Sequence, residues 1–181
     1  ANDQLLYDAT NFFTYATPDP EGLRRFGHSK QNQNGLPLIQ FFLLCSKPWG
    51  FPLLHHTYAG NTQDAEAFKA IPSVVTEHWT KLGYVSENIT LSFDKGNLSQ
   101  EAFKDLDDRN LKFVASLRNS TQKDLLSRPR SEFKRVQLPK SGKNVEYLQV
   151  EKKIYDRNRT VIVVIDPAKQ EKHRHKMEEQ I

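Results

Sequence analysis

The stretch LSFDKGN, residues 91–97, decides how the rest of the chain is read. Leu91 and Phe93 are apolar at alternate positions and Asp94 follows them. Lys95-Gly96 then makes a tight turn into Asn97, a helix-capping residue with Gln100 as its capping-box partner. Strand, carboxylate, turn and helix thus follow one another directly. A carboxylate at the carboxyl end of a strand faces the crevice where open α/β sheets bind their ligands.

Residues 5–13 (LLYDATNFF) form another apolar stretch, read as a strand with Asp8 in its middle. A carboxylate among apolar neighbours is costly unless something compensates it. Hydrogen bonds to backbone, a buried Arg or a metal ion would each do so, and all three stay open here. Residues 14–35 are polar and rich in Pro and Gly, a long loop of the kind that is functional or disordered. Its cations Arg24, Arg25, His28 and Lys30 are candidates for a phosphate backbone or are solvated side chains.

Residues 36–46 and 51–59 read as two strands around the turn Lys47-Pro48-Trp49-Gly50, an antiparallel meander with the first strand. His55 and His56 are adjacent in a strand, so they point to opposite faces and do not share one ion. Asp64 opens a helix whose Phe68, Ile71, Val75, Trp79 and Leu82 recur at helical spacing until Gly83. Pro72 predicts a kink or two abutting helices, with Pro72 in the first turn of the second. A strand at 88–94, a helix at about 98–108 and a strand at 111–117 complete the first part.

Three antiparallel strands followed by strands reached through helices make a mixed sheet, and right-handed crossovers place the fourth strand beside the first. The expected fold is α/β with strand order 3-2-1-4-5, the ribonuclease H-like arrangement. Asp8 and Asp94 would then lie on neighbouring parallel strands with converging side chains.

From residue 119 the texture turns polar and basic, with Arg128, Arg130, Lys134 and Arg135 among Pro129, Pro139 and Gly142. Residues 145–155 and 160–165 suggest a hairpin around 156–159, and Asp166-Pro167 starts a charged helix. The expected organisation is a core at 1–118, a basic β-rich insertion at 119–166 and the start of a C-terminal helix at 167–181. Residues 1–111 carry 9 Lys/Arg against 13 Asp/Glu, a net of −4; residues 112–181 carry 17 against 9, a net of +8. A carboxylate site beside a surface for a polyanion fits that asymmetry, as does a solvated basic face.

At 181 residues the chain can bury a real core. It begins at Ala1 with its only Met at position 177 and reads as a piece of a longer polypeptide. The single cysteine, Cys45, excludes an internal disulfide framework and a Cys-based zinc site and fits a reduced, cytoplasmic setting. No apolar run approaches the roughly 20 residues of a membrane span.

Two carboxylates converging at one sheet edge suggest two-metal phosphoryl transfer, and hard oxygen ligands favour Mg²⁺ or Mn²⁺. The wording around them sharpens this. LYDATNF (6–12), FGHSKQNQNGLPLIQ (26–40), GFPLLHHTYAGNTQD (50–64) and LSFDKGNLS (91–99) resemble, in order and spacing, the DDE transposases of bacterial insertion sequences. The match covers about residues 5–118.

The resemblance implies a ribonuclease H-like domain that cuts and joins double-stranded DNA at transposon ends with Mg²⁺, and a homodimer in the intact protein. It maps the first two catalytic, metal-binding acids onto Asp8 and Asp94. Arg24, Arg25, Lys30, Lys95, Arg128, Arg130, Lys134 and Arg135 are the nucleic-acid-binding candidates. The family's third acid is a Glu in a Tyr-x2-Arg-x3-Glu-x6-Lys motif. Arg174 and Glu178 have the inner spacing, but Glu171 stands where Tyr is required, so the third acid is expected beyond Ile181. Alone, the chain is expected to show little or no strand transfer. A nuclease or resolvase of the same fold, or a DNA-binding relic without metal chemistry, are the alternatives.

Overall fold

The computed structural model describes residues 3–33, 35–83, 85–94, 96 and 99–171. The chain divides into two compact units, Ala1–Leu117 and Arg118–Ile181.

In the first unit the strands are β1 (Asp3–Phe13), β2 (Leu38–Ser46), β3 (Pro52–Ala59), β4 (Ile89–Phe93) and β5 (Lys112–Ala115). They form one sheet in the order β3-β2-β1-β4-β5. The β1–β2 and β2–β3 pairs are antiparallel, whereas β1–β4 and β4–β5 are parallel. This is the mixed ribonuclease H-like sheet that the order of elements predicts.

Alternation along β1 assigns its two faces. Leu5, Tyr7 and Ala9 are buried, and they pack with Phe42 and Leu44 of β2 and Leu91 and Phe93 of β4. Leu6, Phe12 and Val114, on the opposite face, are exposed. The buried face is covered by α1 (Asp64–Phe68), α2 (Ile71–Lys81) and α3 (Gln100–Asp108). Phe68 is fully buried and meets Tyr7 edge-on at 5.1 Å and Phe93 at 4.4 Å between ring centroids. Pro72 sits in the first turn of α2, where its missing N–H has no intrahelical partner to lose, so two helices abut as expected.

The start of α3 differs from the sequence expectation. The helix expected from about residue 98 begins at Gln100, and its cap is Ser99, whose extended backbone lets Oγ accept the Ala102 amide at 3.1 Å. Gln100 is therefore the first helical residue and not the partner of an Asn97 cap; Asn97 itself lies outside the described residues. Removing that cap with Ser99→Ala is expected to destabilise the unit by about 1 kcal/mol, measurable as a shifted urea midpoint with an unchanged slope.

The second unit contains a short helix, α4 (Lys123–Leu126), and the strands β6 (Lys134–Gln137), β7 (Asn144–Ile154) and β8 (Arg157–Ile165). They form an antiparallel sheet in the order β6-β7-β8. The hairpin turns on two residues, Tyr155 and Asp156, and not on 156–159. Both have positive φ, 45° and 65°, as a tight hairpin whose twist matches its strands requires. Leu125, Val145, Leu148 and Ile154 are its buried apolar residues. Lys152 ties α4 to β7 through Asp124 at 2.7 Å and Gln122 at 2.8 Å. Asp166 caps the helical segment that starts at Pro167, its Oδ1 accepting from the amides of Ala168 and Lys169.

Candidate active-site edge

Asp8 sits between buried Tyr7 and Ala9, so strand alternation turns its side chain to the open face of the sheet, where it is exposed. This removes the cost that a carboxylate buried in an apolar strand would carry. β1 and β4 pair in parallel register up to Leu6–Ser92. That pairing ends two residues short of Asp8 on β1 and of Asp94, which is the first residue after β4 and is also exposed.

A third carboxylate, Asp64, opens α1. Its Oδ2 lies 3.0 Å from Lys30 Nζ and 3.6 Å from the point a Cβ on Gly96 would occupy. The Asp64 carboxylate therefore stands beside the turn that follows Asp94. In the sequence Asp64 reads only as a helix start. The segment GNTQD carried the signal, since its Asp falls just past a strand end, but only the fold supplies the neighbour.

Lys30 reaches this edge because its loop is clamped. Asn11 is buried at the end of β1, donates Nδ2 to the His28 carbonyl at 2.8 Å and accepts the Lys30 amide at Oδ1 at 3.1 Å. Ser29 is buried, and its Oγ accepts the amides of Gln31 and Gln33. Gly27 lies where a Cβ would stand 2.1 Å from the Gly60 carbonyl oxygen. From this base the Lys30 ammonium donates to the Ala9 carbonyl and to Asp64.

Below the edge, the Tyr7 hydroxyl is buried and has no hydrogen-bond partner among the described residues. Burial, and after it the negative potentials of Tyr58, Asp64 and Asp8, push its pKa far up. Burial also pushes Tyr58 up to about 12, and its hydroxyl donates to the Ala67 carbonyl at 3.3 Å. Both phenols are neutral near neutral pH.

His55 stacks on Phe41 and His56 lies against Phe42 and Tyr58, so the pair splits between the faces as strand geometry requires. Among the described residues no group of three or more His, Cys, Asp or Glu is placed to hold a metal ion. Arg174 and Glu178 lie outside the described residues, as does Lys95.

The cations singled out in the sequence have diverse settings. Arg25 is held by its loop, Nε donating to the Gly22 carbonyl at 3.1 Å, and Arg24 is half-buried. In the second unit Arg128 pairs with Glu132 at 3.1 Å and Arg135 with Glu146 at 3.2 Å. Arg130 pairs with Glu146 at 2.8 Å and lies over the Phe133 ring. Lys134 is exposed on β6, with no ion pair among the described residues.

No family model matches the sequence, and no curated protein matches it. Solved structures similar to it include a piggyBac transposase synaptic complex with hairpin DNA, at 15% identity and a TM-score of 0.48 over 89% of this chain and 32% of that one. A pre-cleavage Mos1 transpososome gives 6% identity and a TM-score of 0.43 over 68% of this chain and 38% of that one. A simian T-cell lymphotropic virus intasome in complex with a PP2A regulatory subunit gives 15% identity and a TM-score of 0.39, covering 69% and 38%. The chain thus spans about a third of the length of each of these. The fold assignment rests on the strand order and pairing described above, not on these likenesses.

Proposed function

We propose that this chain carries the first two acids of a metal-dependent DNA-cleaving and strand-transferring domain, of the kind found in transposases of bacterial insertion sequences. The observation that supports it is the parallel β1–β4 register: continued two residues past its last pair, Leu6–Ser92, it would set Asp8 beside Asp94, and both are exposed. Two exposed carboxylates are an all-oxygen donor set suited to Mg²⁺ or Mn²⁺, and Asp8 and Asp94 would hold the ion. When bound, such an ion activates a water or hydroxyl nucleophile and stabilises a leaving phosphate oxygen. The chain's own part is to carry Asp8 on β1 and Asp94 directly after β4, with the Lys30–Asp64 pair reaching Ala9 and Gly96. DNA is the proposed partner, with exposed Lys134 among the cations available to its backbone.

Mn²⁺ titration calorimetry tests the reading on the wild type, Asp8→Asn and Asp94→Asn. The wild type is expected to take up Mn²⁺, and each variant to bind it at least about tenfold more weakly, since one tenfold step is about 1.4 kcal/mol and a lost carboxylate ligand removes at least that. Equal affinity in all three proteins would overturn the proposal.

A further inference from the structure

We infer that Lys30 is a positioning residue for the acid edge, rather than a ligand for the phosphate backbone of DNA. The inference rests on the reading of Asp8 and Asp94 as a metal site. Its ground is that the Lys30 ammonium binds two points, the carbonyl of the residue after Asp8 and a carboxylate that lies beside Gly96, two residues after Asp94.

The first point is the carbonyl of Ala9, the residue after Asp8. Ala9 is paired with Phe42 of β2 but lies past the last β1–β4 pair, Leu6–Ser92, so its β4 side has no strand partner there. The second is Asp64 Oδ2, 3.0 Å from Nζ and 3.6 Å from the Cβ position of Gly96, two residues after Asp94. A single cation thus links β1 at the residue after Asp8 to the carboxylate that lies beside Gly96, two residues after Asp94. It also offsets the negative charge of Asp64.

The reach of Lys30 is fixed from behind. Asn11 binds its amide and the His28 carbonyl, and Ser29 between them is buried. A side chain serving as a mobile phosphate contact needs none of this anchoring. The ion pair itself is partly exposed, at 36% and 28% for the two side chains, and pairs of that kind add little to global stability. Its effect is therefore local, on where the acids stand.

The test uses the full chain with Lys30→Met, Asp64→Asn and the double variant. Amide hydrogen exchange is read first, without metal. In Lys30→Met, exchange in residues 8–13 is expected to rise at least about fivefold while β5 is unchanged, as for local opening without global loss. Unchanged exchange in 8–13 overturns the role of Lys30. Mn²⁺ affinity is read second, by electron paramagnetic resonance. Each single variant is expected to bind about five- to tenfold more weakly, and the double no more weakly than the worse single, because both remove one latch. Full Mn²⁺ affinity in Lys30→Met, with weaker binding to a short DNA duplex and a smaller salt dependence, also overturns it in favour of a phosphate contact. A wild type that binds no Mn²⁺ overturns the metal-site reading instead, and the exchange comparison then decides Lys30 alone.

Discussion

Replacing Gly60 with Ala is expected to destabilise the first unit by about 3 kcal/mol or more, the scale of a forced overpacking that cannot relax. A Cβ there would stand 2.0 Å from the Leu38 carbonyl oxygen and 2.5 Å from that of Arg25. Neither oxygen can step aside cheaply. Arg25 and Leu38 exchange backbone hydrogen bonds of 3.1 and 2.8 Å, and Gly60 itself donates to the Leu23 carbonyl at 2.9 Å. The loop that presents Lys30 crosses the β2–β3 end at this point, so it must lift off for a methyl group to enter. Thermal unfolding followed by the emission of buried Trp79 is expected to shift down by about 10 °C or more. A melting point within a degree or two of wild type would show that the close approach does not exist in solution.

Asn11→Leu is the second large effect, expected at about 3 kcal/mol. The replacement nearly matches in volume, so the loss comes from polar groups rather than from a cavity. Asn11 is 1% exposed and satisfies the His28 carbonyl and the Lys30 amide. Leucine leaves the part-buried His28 carbonyl and Lys30 amide without their partner, each costing about 1–3 kcal/mol to the extent that the fold keeps water from it. The cost falls on one loop. Limited proteolysis is expected to cut within residues 14–36 well before the sheet is attacked, whereas the wild type resists there. Identical digestion of both proteins would mean that the loop is held by something other than Asn11.

The framework was readable because hydrophobic periodicity and element order are local. Alternation in residues 5–13 and 91–93 gave the strands, and the handedness of crossovers gave β4 its place beside β1. Setting Asp8 beside Asp94 extends the same register two residues past its last pair, Leu6–Ser92. Side-chain partners between distant elements were not readable in this way. Lys30 and Asp64 are far apart in the chain, and no spacing rule announces that a loop cation reads as a phosphate ligand yet folds back onto a carboxylate. Glu146 likewise gathers Arg130 and Arg135, which the sequence offered as DNA contacts.

Local signals also competed. Asn97 and Ser99 are both good caps, and only backbone geometry selects Ser99. The turn at Tyr155-Asp156 was misplaced because a tyrosine is an unusual occupant of the left-handed region, while 156–159 has ordinary turn composition. β6, with the sequence KRVQ and every residue exposed, has no apolar alternation to reveal it.

The β1–β4 pairing also has a meaning in time. The β7–β8 hairpin closes on a two-residue turn, and the β1–β2–β3 meander is built from successive strands, so both form from nearby parts of the chain. The parallel pair instead joins Asp3 to Ile89, across the meander and both of the first helices. Chain entropy makes such a long closure slow, and it is rewarded only after the intervening elements have packed. The β1–β4 pair therefore forms late in folding. Until β4 docks, the segment that carries Asp94 is not held against the strand that carries Asp8.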